Sequence, residues 1–275
     1  MDSAIVLAFA VTLFAGLATG IGSAIAFLSK TTNKAFFALS MGFSAGVMIY
    51  LSFAEILPKA SVYIAETSGA TTAAAIAAAA LIGGMVLMAL IDAVVPSGAN
   101  PHENTQVELM SEPAGNLGEI GIHEQKLLRM GVFVALAIAI HNFPEGLATF
   151  LLVLDDPEIG ISMAIAVAMH NVPEGIAVSV PVYYATKSKS KAFRLSFLSG
   201  LAEPAGAVIG YLILAPFLSD FVLGVIFAMV AGIMVFLAID TLLPTARNSS
   251  RGHLTVYGLI GGMAVMAASL VLLRL

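Results

Sequence analysis

The sequence predicts an all-α, polytopic membrane protein of eight transmembrane helices. They are ordered three, two and three, with the first and last three as inverted repeats. Three observations carry that expectation: scarce charge, eight apolar runs of membrane length, and internal repeats in a fixed order. Of 275 residues, 59% are hydrophobic before glycine is counted and 11% are charged. Soluble domains are about 45–50% apolar with glycine included and about 25% charged. Mean hydropathy is +0.99. Twelve basic and seventeen acidic side chains are too few to solvate a globular surface of this size. A net charge of −5 without a basic stripe excludes a nucleic-acid binder. The absence of cysteine removes disulfides and thiolate metal ligands.

A helix needs roughly 20 mostly apolar residues to cross a bilayer. Eight runs qualify: 4–28, 35–57, 72–94, 127–153, 160–184, 193–215, 221–243 and 254–274. The first starts right after Met1-Asp2-Ser3, without the positive leader of a signal peptide, and is expected to be retained. The whole chain, 1–275, reads as one transmembrane domain. Its long connection, 95–126, is rich in Pro, Gly, Asn and Glu and reads as a flexible cytoplasmic loop.

Ten of the twelve basic residues fall on one side of these spans: Lys30, Lys34, Lys126, Arg129, Lys187, Lys189, Lys191, Arg194, Arg247 and Arg251. Only Lys59 and Arg274 fall on the other. The positive-inside rule makes the odd-numbered loops cytoplasmic and puts both termini outside. The turn Asp155-Asp156-Pro157-Glu158 then faces outward, and it reads as a solvated turn.

The repeats organise the chain further. Ala45-Gly46-Val47-Met48 in span 2 recurs as Ala231-Gly232-Ile233-Met234 in span 7, and Leu57-Pro58 as Leu243-Pro244. Leu81-Ile82-Gly83-Gly84-Met85 in span 3 recurs as Leu259-Ile260-Gly261-Gly262-Met263 in span 8. Gly16-Leu17-Ala18 and Gly22 in span 1 match Gly200-Leu201-Ala202 and Gly206 in span 6. Counterparts are five spans apart, so they run in opposite directions, an arrangement typical of secondary transporters. The middle spans match each other, His141-Asn142-Phe143-Pro144-Glu145-Gly146 against His170-Asn171-Val172-Pro173-Glu174-Gly175.

These two motifs lie near the middle of apolar spans. A charge there costs about 2.5–3.5 kcal/mol on insertion scales, so an ionisable residue at that depth points to function. His and Glu four apart, and Asn and Glu three apart, share a helix face. Two facing helices then offer His141, Glu145, His170 and Glu174, a set suited to Zn²⁺ or another first-row divalent ion. Asn142 and Asn171, with the same glutamates, can form an oxygen-rich site beside it. Glu203, central in span 6 and followed by Pro204, is the third carboxylate of that cavity, and its span 1 counterpart is Thr19. Pro144 and Pro173 lack an N–H and are expected to free the carbonyls of Ile140 and Met169. Glu55, Asp92 and Asp240 near span ends are candidate way-stations for cations. Spans 2, 3, 7 and 8 carry none of the central ligands and are expected to form a scaffold and the contact of a homodimer.

The paired His-Asn-x-Pro-Glu-Gly motifs, Glu203-Pro204, the eight spans and the polar loop between spans 3 and 4 resemble the ZIP (Zrt/Irt-like) metal transporters over essentially the whole chain. That resemblance implies uptake of Zn²⁺, with Fe²⁺, Mn²⁺ and Cd²⁺ also accepted, across a bacterial or archaeal inner membrane. It implies a binuclear centre, one site with His141, Glu145, His170 and Glu174, the other with Asn142, Glu145, Asn171, Glu174 and Glu203. It also implies movement of spans 1, 4, 5 and 6 against the others, with metal as cargo and no cofactor. The competing reading is an intramembrane zinc metallohydrolase. Such enzymes usually carry His-Glu-x-x-His with the glutamate as general base, whereas His-Asn-x-x-Glu leaves no spare base.

Overall fold

The computed structural model describes residues 3–28, 34–94, 117–249 and 252–272. Among the described residues there is no strand, and eight helices are long and apolar enough to cross a membrane. They are span 1 Ser3–Phe27, span 2 Ala35–Ser68, span 3 Ala70–Ala93, span 4 Leu127–Asp155, span 5 Pro157–Thr186, span 6 Lys189–Phe217, span 7 Asp220–Asn248 and span 8 Leu254–Leu272. The helix bearing span 4 begins at Leu117, so part of the segment read as a loop is helical. The run Glu124-Gln125-Lys126-Leu127-Leu128-Arg129 consists of strong helix formers, which favours that extension. The stretch 95–116, with His102, Glu103, Glu108 and Glu112, lies outside the described residues.

Spans 2 and 7 run well past the prolines at which the apolar runs end. In each, one π-helical turn precedes the Leu-Pro pair: Ser52–Ile56 before Leu57-Pro58, and Ala238–Leu242 before Leu243-Pro244. The Leu57 N–H reaches back to the Ser52 carbonyl and the Leu243 N–H to the Ala238 carbonyl. A proline ring normally clashes with the carbonyl one turn back. The wider turn relaxes that geometry, and the helix continues. Span 6 instead breaks at Leu201, where one helix ends at Gly200 and the next begins at Ala202.

The helices pack as two groups. Spans 1, 4, 5 and 6 contact one another, as do spans 2 and 8, and 3 and 7, while spans 2 and 7 also touch spans 5 and 4. Glycine permits the close approaches. A Cβ on Gly46 would collide with the Leu259 carbonyl, and one on Gly232 with the Leu81 carbonyl. The same holds for Gly262 against Phe43 and Gly84 against Met229. Within the other group, Gly22 lies against the Val172 carbonyl and Gly206 against that of Phe143. Every one of these contacts occurs twice, at positions matched by the sequence repeats. Large apolar side chains such as Phe14, Leu90, Leu212, Tyr257 and Val271 stay exposed, as a lipid-facing surface requires.

Close packing of this kind makes a sharp prediction. Gly232→Val forces span 7 off span 3, and overpacking of a core costs about 1–3 kcal/mol. Ala10→Val is the control, because Ala10 lies exposed on span 1. Thermal unfolding in detergent should show a clear loss of stability for the first variant and no more than a small change for the second.

Candidate metal centre

Spans 4 and 5 pass through Pro144 and Pro173 as continuous helices. Helical spacing therefore holds across each motif, and His, Asn and Glu emerge on one face. Gly146 lets the Glu203 backbone approach span 4, and Gly175 lets the Thr19 backbone approach span 5. The break in span 6 places Glu203 in the first turn of a new helix, where the helix dipole favours an anion.

All seven expected ligands are buried, and side-chain contacts join His141 to Glu174, His170 to Glu145 and Asn171 to Glu203. Sequence spacing puts each histidine and glutamate of one helix on a shared face; in the structure the two faces meet, and each histidine contacts the glutamate of the other helix. His141 Nε2 lies 3.1 Å from Glu174 Oε1. His170 Nε2 lies 3.3 Å from Glu145 Oε2 and 3.2 Å from its Oε1. Spacing defines only which residues share a face; the neighbour that the face meets decides the partner.

The asparagines tie this layer to spans 1 and 6. Asn171 Nδ2 donates to the Ala15 carbonyl at 2.8 Å and to Glu203 Oε1. Asn142 Nδ2 donates to the Ser199 carbonyl at 3.4 Å. Several buried atoms stay without a hydrogen-bond partner: His141 Nδ1, Asn142 Oδ1, Asn171 Oδ1, Glu174 Oε2 and Glu203 Oε2. Buried polar atoms are nearly always satisfied, so such a concentration marks a place built for something else. Nitrogen and oxygen donors without thiolate match a first-row divalent ion. Among the described residues no three His, Asp or Glu side chains converge closely enough to hold an ion.

A narrow cavity leads to His141 and Glu174, lined also by Met41, Val134, Ala177, Thr241 and Thr245. Of the proposed way-stations, Glu55 is buried in the π-helical turn of span 2 and lines a smaller, closed cavity. Asp240 lies in the matching turn of span 7 and Asp92 near the end of span 3, and neither lines either cavity. Two features escaped the sequence reading. Thr19, at the repeat position of Glu203, is fully buried with its hydroxyl unpartnered. The turn after span 4 is more than a solvated turn. Lys59 Nζ lies 3.2 Å from a carboxylate oxygen of both Asp155 and Asp156, and the Tyr63 hydroxyl donates to Asp155. Asp156 also caps span 5 by accepting the Ile159 N–H at 3.2 Å. Burial raises the Asp156 pKa, but the Ile159 N–H and the Lys59 ammonium outweigh it and hold the carboxyl below its usual value.

Eight helices long and apolar enough to cross a membrane, packed around a buried His, Asn and Glu cluster, define a multi-pass membrane protein. The family profile described as ZIP Zinc transporter matches residues 97–270. The chain is 56% identical over 273 residues to the zinc transporter ZupT of Lysinibacillus sphaericus, covering 99% of this chain and 100% of that protein. It is 57% identical to ZupT of Oceanobacillus iheyensis over 273 residues, with the same coverage of both. ZupT of Clostridium perfringens is 50% identical over 274 residues, 98% of this chain and 96% of that protein. The chain therefore belongs to the ZIP family of zinc transporters. Zinc is cargo, not cofactor, and the metallohydrolase alternative falls, because this is a family of transporters and not of enzymes.

The lowered Asp156 pKa fixes the sign of a pH effect. A carboxyl depressed in the folded state contributes stability that is fully present above about pH 4, its unfolded value. That contribution disappears as pH falls through the lower, folded-state value. Asp156→Asn keeps a capping oxygen and loses the charge. It should unfold at a lower temperature than the parent at pH 7, with the gap narrowing in stronger acid.

Proposed function

We propose that this chain carries Zn²⁺, and also Fe²⁺, Mn²⁺ and Cd²⁺, into the cytoplasm by alternating access through a binuclear centre. The observation that carries this reading is the reciprocal pairing of His141 with Glu174 and His170 with Glu145, ringed by buried acceptors without partners. His141, Glu145, His170 and Glu174 hold one ion. Asn142, Asn171 and Glu203, with the two shared glutamates, hold its neighbour. The carboxylates neutralise the charge of the cargo and lower its cost in a low-dielectric interior.

The chain sits in a bacterial or archaeal inner membrane with both termini outside and the basic loops in the cytoplasm. In that orientation the cavity that reaches His141 and Glu174 opens inward. The inverted repeat supplies the second conformation, and the twice-occurring glycine contacts support that symmetry. Spans 1, 4, 5 and 6 carry the ions past spans 2, 3, 7 and 8. The protein works as a homodimer through the face around Gly83 and Gly261, where small residues look outward.

Zinc uptake into proteoliposomes tests the reading. Glu174→Ala and His141→Ala should each lower the initial rate by more than about tenfold, a loss equal to about 1.4 kcal/mol at the transport barrier. Parental flux in both variants removes the centre from the pathway. Zinc affinity should also fall as pH drops from 7 to 5, because protons compete for imidazole and carboxylate. Isothermal titration at three pH values checks the direction.

A further inference from the structure

The two cavities are counterparts. When the register of the repeats is carried along the chain, Ala148 of the smaller cavity corresponds to Ala177 of the larger, Met163 to Val134, and Phe227 to Met41. Glu55 and Lys59 correspond to Thr241 and Thr245. The cavities are not equal. The larger reaches the His and Glu ligands, whereas the smaller stops at Ala148, one turn short of Glu145. Bulky Phe227 fills it where the slimmer Met41 lines the other. Its mouth also differs in charge, since a lysine stands where the larger cavity has a threonine.

That lysine bridges the two helix groups. Lys59 belongs to span 2, and its ammonium meets Asp155 and Asp156 at the turn between spans 4 and 5. Tyr63, one turn further along span 2, donates to Asp155, and the ammonium lies 5.8 Å from the Tyr63 ring centre. Lys59 is 15% exposed, so solvent screens the pair only in part. Resting on the transporter reading above, we propose that Lys59 is the latch of the outer vestibule. Bound to Asp155 and Asp156, it holds the ligand-bearing spans against span 2 and keeps the smaller cavity shut. Its release parts the turn from span 2 and opens a path past Glu55 and Ala148 toward Glu145.

The absence of cysteine makes the test clean. Ala148→Cys and Ala177→Cys place one thiol in the smaller and the larger cavity. Each is labelled in sealed, oriented vesicles with a maleimide that does not cross the bilayer, supplied on the side its cavity faces. Lys59→Met should raise the labelling rate at position 148 about fivefold, the scale set by losing a partly exposed ion pair. It should lower the rate at 177, and Lys59→Arg should resemble the parent at both. An unchanged rate at 148 overturns the latch. So does a rise at both positions, which signals a loosened bundle and not a shift between two states. Zinc flux in the same vesicles separates the two ideas. Absent flux in the cysteine-free protein with Lys59 intact ends the transport reading; normal flux there with unshifted labelling in Lys59→Met ends the latch alone.

Discussion

Three carboxylates and two imidazoles lie near the middle of apolar helices, and the rest of the molecule is arranged around that constraint. Each charge at such depth is expensive, and an unpaired buried charge more so. No single span satisfies its own pair. His141 depends on span 5 and His170 on span 4, while Asn171 reaches both span 1 and the break in span 6. The four ligand-group helices are therefore bound to one another by polar contacts and by glycine-mediated backbone approach, and they form one body.

The other four helices are held differently. Their close contacts are backbone against backbone through Gly46, Gly84, Gly232 and Gly262. Between the groups, Lys59 of span 2 meets two aspartates at the turn between spans 4 and 5. An ion pair at the edge of two packed helix groups is the kind of contact that can favour one arrangement of the groups over another. The π-helical turns that carry Glu55 and Asp240 lie in spans 2 and 7, and π-turns recur at functional positions in helices.

Much of this was legible in the sequence because hydrophobic length and motif spacing are local properties. All eight spans, and the clustering of His141, Glu145, His170, Glu174 and Glu203, follow from runs of apolar residues and from i, i+4 geometry. What escaped depended on neighbours. The crossing of the His–Glu pairs is set by how spans 4 and 5 face each other. The length of spans 2 and 7 was hidden because Pro58 and Pro244 signal an end, and a wider turn absorbs them. Lys59 and Asp156 are 97 residues apart, and neither carries a motif. Thr19 was visible only as the place where Glu203 has no twin.

The central claim is that the buried His and Glu cluster binds the ion. X-ray absorption at the zinc edge on zinc-loaded protein measures this directly. The account predicts a nitrogen and oxygen shell at about 2.0–2.2 Å with imidazole scattering beyond it, as zinc bound to histidine and carboxylate requires. That imidazole signature should disappear in His141→Ala/His170→Ala. A zinc spectrum without imidazole, or one unchanged in the double variant, contradicts the account.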